Sequence, residues 1–275
     1  MKAFYLFVVV LLQSSLLFAQ RTIQQSTSIQ PNQEVNFDCR RANVKFTTWN
    51  KNEIEITGTA SVNMGEHDDA FEVEIKRKNG SLEIRTFLKE EEDIPKMIIM
   101  SKDGMKTYKR MDQGDKGWDN VVADGKGYDY VSIGIITEIE LEIKVPQNIE
   151  LNITAKYGNV DIKDFQGALY AKNTHGYINA IFSKTIRNNV QLMSTHDFVD
   201  VSMPSSSQVD LELKSSHGDI YTDMNLNFSK DQNWTDQKSC TNKNRIVAKL
   251  NSGGVQVNLK STHYNDYLRE NKLTN

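Results

Sequence analysis

A nearly fixed period is the feature that most constrains this chain. The segments KNTHGYINA, MSTHDFVDV and KSSHGDIYT each set a histidine behind a hydroxyl residue, at Thr174-His175, Thr195-His196 and Ser216-His217, about 21 residues apart. Self-similarity at such a period marks a repeat architecture, in which one unit cannot bury its apolar face alone and successive units must stack.

Strict alternation of apolar and polar residues says what the unit is made of. From Asn148 onward the chain reads LNITAKYGNVDI, LYAKNTHGYINA, VQLMSTHDFVDV, VDLELKSSHGDIYT, IVAKLNSGGVQV and VQVNLKSTHYNDYL. Each unit is an alternating strand, a short polar bend and a second alternating strand. The bend position holds Tyr157, His175, His196, His217, Gly253 and His263. Alternation also runs through Val35, Phe37 and Cys39, through Val44 and Phe46, and through ITEIELEIKVP, which Pro146 stops. Asn79-Gly80 between two alternating runs predicts a hairpin, because both residues tolerate positive φ. No useful length outside the N-terminal segment has a helical period. The expected fold is all-β, a single-stranded parallel β-helix-like solenoid with hairpin and loop insertions.

The first stretch, MKAFYLFVVVLLQSSLLFAQ, has Lys2, an apolar run from Phe4 to Leu12 and a small residue at Ala19. That layout predicts a secretory signal peptide over 1–20 and an exported chain, in the periplasm or at the cell surface. The run is too short for a spanning helix, and no later segment could cross a bilayer after signal cleavage. One β-solenoid domain is expected over 21–275: N-terminal rungs over 35–88, an insertion over 89–127, repeat rungs over 131–226, an insertion over 227–244 and closing rungs over 245–270. A formal net charge of -3 gives no global basic field, so nucleic acid is not an expected partner. With only Cys39 and Cys240, the fold does not depend on a disulfide framework. If the chain climbs the solenoid steadily, the two lie on the order of 35 Å apart at 4.8 Å per rung, and both are expected as free thiols.

The segments VKFTTWNKNEIEITGTASVN, DDAFEVEIKRKNGSLEI, ITEIELEIKVPQNIELNITAKYGNVDIKDFQG and LNSGGVQVNLKSTHYNDYLRE occur in an order, and with a wording, that resembles a bacterial family of exported β-strand-repeat proteins. That family is called adhesin by designation and is of unknown function. The likeness spans roughly Val35 to Glu270, with the family's turn pattern at Tyr157-Gly158-Asn159-Val160 and Ser252-Gly253-Gly254-Val255. It implies a β-helix-like fold and export to the envelope, and it brings no catalytic residues.

The bend histidines could form a ladder of metal ligands, since equivalent positions on stacked strands lie about 4.8 Å apart. The preferred reading makes them turn residues, His tolerating positive φ and the preceding Ser or Thr bonding the local backbone; no metal or cofactor is expected. Asp112, Asp115, Asp119 and Asp124 lie in a Gly-rich stretch but miss the EF-hand spacing. Trp118, Tyr128 and Trp234, in or beside the insertions, are the candidate ligand contacts, offering flat apolar faces with a polar edge. The expected function is an exported, non-catalytic interaction module, adhesin-like, meeting an envelope protein or glycan. The alternative is a carbohydrate-active β-helix enzyme using carboxylates such as Asp161, Asp164, Asp200 and Asp219 on one face.

Overall fold

The computed structural model describes residues 20–111, 127–228 and 245–271. Residues 1–19, and with them nearly all of the predicted leader, lie outside the described residues, as do Trp118, Trp234, Cys240 and the four aspartates of the Gly-rich stretch. Among the described residues the chain is all-β, with a single 3-10 turn at Asp68–Ala70 and no α-helix.

The N-terminal part contributes β1 (Arg21–Ser28), β2 (Glu34–Arg40), β3 (Asn43–Trp49), β4 (Glu53–Val62), β5 (Phe71–Lys78) and β6 (Ser81–Leu88). A hairpin and its partner follow: β7 (Met97–Lys102), β8 (Met105–Arg110) and β9 (Tyr130–Gly134). After β10 (Thr137–Pro146), the repeats supply β11 (Glu150–Lys156), β12 (Val160–Lys163), β13 (Leu169–Asn173), β14 (Ile178–Ile181), β15 (Val190–Ser194), β16 (Val199–Met203), β17 (Val209–Ser215) and β18 (Ile220–Thr222). The last strands are β19 (Asn227–Phe228), β20 (Arg245–Leu250), β21 (Val255–Ser261) and β22 (Asp266–Glu270).

Each repeat sends its first strand to one sheet and its second to another. The ten-stranded sheet runs β19-β20-β17-β21-β15-β13-β11-β2-β6-β5, and the nine-stranded sheet runs β1-β4-β10-β3-β12-β14-β16-β22-β18. Parallel pairing keeps the rungs in register, so Val35, Leu151, Leu169, Val190, Val257 and Leu211 form one inward column. On the facing sheet Phe46, Ile162, Ala180, Val201 and Leu268 form another. One buried apolar cluster joins the two inner faces. That explains the alternation, because with period two every inward residue is committed to this core.

Two features depart from the expected single-stranded parallel β-helix. The sheets are mixed: β10 pairs β3 parallel but β4 antiparallel, β1 pairs β4 antiparallel, and β5 and β6 form an antiparallel hairpin through Asn79 (φ 52) and Gly80 (φ 86). At the other end β20 is antiparallel to β17 and β19 to β20. Antiparallel strands thus cover both edges of the ten-stranded sheet and the β1 edge of the nine-stranded one, edges that would otherwise invite pairing with another chain, while β18, parallel to β22, forms the remaining edge. The second departure concerns order. The rung formed by β21 and β22 does not close the stack but lies between the β15/β16 rung and the β17/β18 rung. The chain therefore does not climb steadily. β20 runs back along β17, and the short turn after Leu250 carries the chain across β17 into the gap beyond it.

β7, β8 and β9 form a separate three-stranded sheet over a small core of Ile98 and Met100, against which Met111, Tyr128, Val131 and Ile133 pack.

Candidate interaction surface

The bends between the two sheets bring the predicted histidines together. Rings stack in the order Tyr157, His175, His196, His263 and His217, with centroids 4.8, 4.6, 4.9 and 5.3 Å apart and planes within 8° of parallel. His263 sits between His196 and His217 because its rung is the inserted one. The Arg41 guanidinium lies 5.7 Å from the Tyr157 ring centre and the Lys156 ammonium 4.9 Å from it, so cations cap this end of the column. Backbone pairing continues round the bend: the His196 amide donates to the Thr174 carbonyl and the His263 amide to the Thr195 carbonyl, both at 3.1 Å.

Gly253 is not part of this column. It lies in the turn between β20 and β21 with φ 77, close against the Asp210 carboxylate, so the registration of SGGV with the histidine bends does not hold in space. Nor do the histidines adopt positive φ. In their register it is Arg41 (φ 61) and Tyr157 (φ 63) that do.

What fixes the bends is one position earlier than the hydroxyl that the repeat advertises. Asn173, Ser194, Ser261 and Ser215 form a buried inward column under the rings. Asn173 Nδ2 donates to the Gly158 carbonyl at 2.7 Å, Ser194 Oγ to the Gly176 carbonyl at 2.9 Å, and Ser215 and Ser261 Oγ both to the Tyr264 carbonyl, Ser215 at 2.9 Å. A carbonyl turned inward at a bend would otherwise be buried without a donor. The signal was legible as Lys-(Asn/Ser)-(Thr/Ser)-His, written KNTH, KSSH and KSTH, with MSTH as the variant.

The arrangement does not converge on a metal. Imidazole lone pairs lie in the ring plane, so parallel rings aim them side by side rather than at one ion. Partial desolvation of the stacked ring, then His196 and the Lys156 ammonium, push the His175 pKa below its ordinary value, which favours the neutral ring. Among the described residues no group of three or more His, Cys, Asp and Glu side chains could hold a metal.

Beyond the rings, sheet positions continue the columns. Lys172, Lys260 and Lys214 are exposed on the outer face of the ten-stranded sheet, each three residues before a histidine, with half-buried Met193 taking the equivalent place on β15. On the nine-stranded sheet Tyr177 stacks on Phe198 at 5.1 Å and Tyr221 on Tyr267 at 5.3 Å. The carboxylates considered for catalysis are engaged separately. Asp161 accepts from Asn179 at 2.8 Å and from the Tyr177 hydroxyl at 3.2 Å; Asp164 accepts from the Ser183 amide at 2.8 Å; Asp200 pairs with Arg269 at 2.9 Å; Asp219 accepts from the Tyr221 hydroxyl at 3.3 Å. Tyr128, the one candidate ligand contact within the described residues, is half-buried against the small core of the three-stranded sheet. At the corner opposite the histidines, Gln166, Ser183, Lys184, Arg187, Asn188 and Pro204 help line a polar cleft of about 570 Å³.

One inward residue breaks its column. Asp266 is fully buried where the neighbouring rungs place Val44, Val160, Ile178, Val199 and Ile220. Neither of its carboxylate oxygens has a hydrogen bond of acceptable geometry among the described residues. The Ser261 hydroxyl and amide and the Lys214 amide nonetheless lie near enough to offset part of the burial that pushes its pKa up to about 7. The carboxyl is desolvated and only weakly partnered, because Ser261 Oγ donates its proton to the Tyr264 carbonyl.

A two-sheet stack of in-register rungs, flanked by antiparallel strands and carrying side-chain columns on its outer faces, is a β-solenoid-like repeat protein. Residues 20–258 match the family described as Toastrack DUF4097, and the chain belongs to that family. The membership agrees with the resemblance drawn from the order of its segments. A solved structure described as a "putative cell adhesion protein" from Clostridium sporogenes is similar to 91% of this chain and 100% of its own, at 11% identity and a TM-score of 0.53. At that identity the likeness concerns the fold alone. A "putative adhesin" from Bacteroides fragilis covers 92% of this chain and 98% of its own at 8% identity, and its TM-score of 0.26 carries no argument. No curated protein matches the chain.

Proposed function

We propose that the chain is an exported, non-catalytic interaction module, adhesin-like in use, which meets an envelope protein or glycan in the periplasm or at the cell surface and needs no cofactor. The observation that carries this reading is the in-register stacking of rungs, which turns single exposed side chains into columns several residues long on a rigid face. Such a face suits extended recognition better than chemistry at one point. The family and the description of the C. sporogenes fold neighbour support the same reading. Among the described residues no helix is long and apolar enough to cross a membrane. The competing carbohydrate-active enzyme is separated from this reading by incubating the purified chain with acidic and neutral polysaccharides, with and without calcium. We expect no chain shortening by size-exclusion chromatography. Reproducible cleavage would overturn the proposal.

A further inference from the structure

We propose that the strip built by the Lys-(Asn/Ser)-(Thr/Ser)-His repeats is a docking site for a linear acidic polysaccharide, one whose carboxylate or sulfate groups recur along the polymer. The inference rests on the reading of the chain as an interaction module and names the ligand class and the surface.

Three observations carry it. The first is register: Lys172, Lys260 and Lys214 stand in one cross-strand column on β13, β21 and β17, with Met193 of β15 between the first two. Adjacent strands are about 4.8 Å apart, so the ammonium groups form a row across the sheet rather than a cluster. Arg245 of β20 pairs with Lys214 and extends the row at its far end. The second is charge. No ion pair within the described residues engages Lys172, Lys260 or Lys214, although ion pairs are formed nearby, by Arg245 with Glu212 at 2.8 Å and by Lys249 with Asp210 at 3.6 Å. A row of like charges left without counter-ions on a chain of formal net charge -3 is a local anion-binding feature. The third is the bend itself. The exposed imidazoles of His175, His196, His263 and His217 run parallel to the lysine row, with Thr174, Thr195, Thr262 and Ser216 between. Stacked rings present their edges outward, where the N–H groups are, and bury their faces against one another. The strip therefore offers cations, hydroxyls and ring N–H donors in parallel rows, which suits a polymer that is both anionic and rich in hydroxyl groups. A flat sheet face does not offer the helix or ribbon that enters a nucleic-acid groove.

The test uses the full chain, with heparin and polygalacturonate as sulfate- and carboxylate-bearing probes and dextran and duplex DNA as comparators, by calorimetry at low and moderate salt. Heparin or polygalacturonate should bind, dextran should not, and affinity should fall steeply with salt. Replacing Lys172, Lys214 and Lys260 together with Gln should weaken binding roughly a hundredfold, taking a lysine near an anionic surface as worth several-fold each. The charge-matched change of Lys163, Lys184 and Arg187 to Gln should leave it within about twofold. Met193→Lys, which completes the row, should tighten it several-fold. Equal loss in the charge-matched control, or DNA bound as tightly as the polysaccharides and through the same lysines, overturns the inference. So does absence of binding by well-folded protein, which leaves the interaction-module reading standing; cleavage of the probe would instead overturn that reading.

Discussion

Asp266 is the inward residue most at odds with its surroundings, and the one whose titration should be visible in the stability of the protein. Its ordinary pKa is 3.8, and burial lifts it to about 7 in the folded chain. A raised folded-state value means that the protonated form is favoured by folding. Its contribution to stability is full below the unfolded value and is lost as pH rises through the folded one. We expect Asp266→Asn to gain stability over the wild type as pH is raised from 4 to 7 and then hold a constant lead, on the order of 2–4 kcal/mol. Urea midpoints measured for both proteins across that range check it, and a lead that does not change with pH would show that the carboxyl does not titrate there. His175 works in the other direction. The pKa of His175 is depressed, so the stability of its neutral form is present above the unfolded value of 6.5 and lost as pH falls through the folded one. His175→Gln should therefore lose less stability than the wild type on acidification from pH 7 to pH 5.

At the scale of the elements, the bends are set by a buried polar column and by glycines that allow the rungs to approach. Ser194 donates to the Gly176 carbonyl in the interior, so Ser194→Ala should leave a buried acceptor unpaired and cost roughly 1–3 kcal/mol. Thr195→Ala, one residue on and half-exposed, should stay within about 0.5 kcal/mol. Gly176 has φ 156, and a Cβ there would stand 2.2 Å from the Gly158 carbonyl oxygen of the rung below. Gly176→Ala should therefore cost more than about 2 kcal/mol, read as a lowered urea midpoint with an unchanged slope. These bends also show how far a sequence can be read at this scale. The strands were plain from alternation, because each inward side chain belongs to one core. The Asn79-Gly80 hairpin was plain from the positive φ that its two residues accept. The histidine period was equally plain, but it advertised the exposed member of the motif. The residues that fix the bend, Asn173, Ser194, Ser215 and Ser261, occupy positions that alternation assigns to the core, where a small polar residue looks like a weak apolar one until its carbonyl partner is seen.

For the whole molecule, local pattern determines which segments are rungs and says nothing of their spatial order. Parallel in-register pairing asks only for an apolar inner face and a compatible bend, and KSTH meets those conditions as well beside MSTH as beyond KSSH. The insertion of β21 and β22 between two earlier rungs follows from how the chain returns through β20, which no periodicity encodes. Cys240 lies outside the described residues, but its reach is limited by Arg245. Cys39 is a free, buried thiol on β2, and burial followed by Asp38 pushes its pKa up to about 12. Arg245, five residues after Cys240, pairs with Lys214 of β17, and Lys214 shares a cross-strand column with Asp38 through β21, β15, β13 and β11. Six strand steps at about 4.8 Å separate Arg245 from Asp38 by roughly 29 Å. Five residues span at most about 18 Å, whereas a disulfide needs Cα atoms within about 7 Å. The monomer should therefore contain no Cys39-Cys240 crosslink. Alkylation of the native, unreduced chain should leave Cys39 unmodified, because a buried thiol with so high a pKa supplies almost no thiolate, and urea should expose it. Peptide mass analysis before and after unfolding reads both outcomes, and a crosslinked Cys39 peptide from the monomer would contradict the strand pairings that separate Arg245 from Asp38.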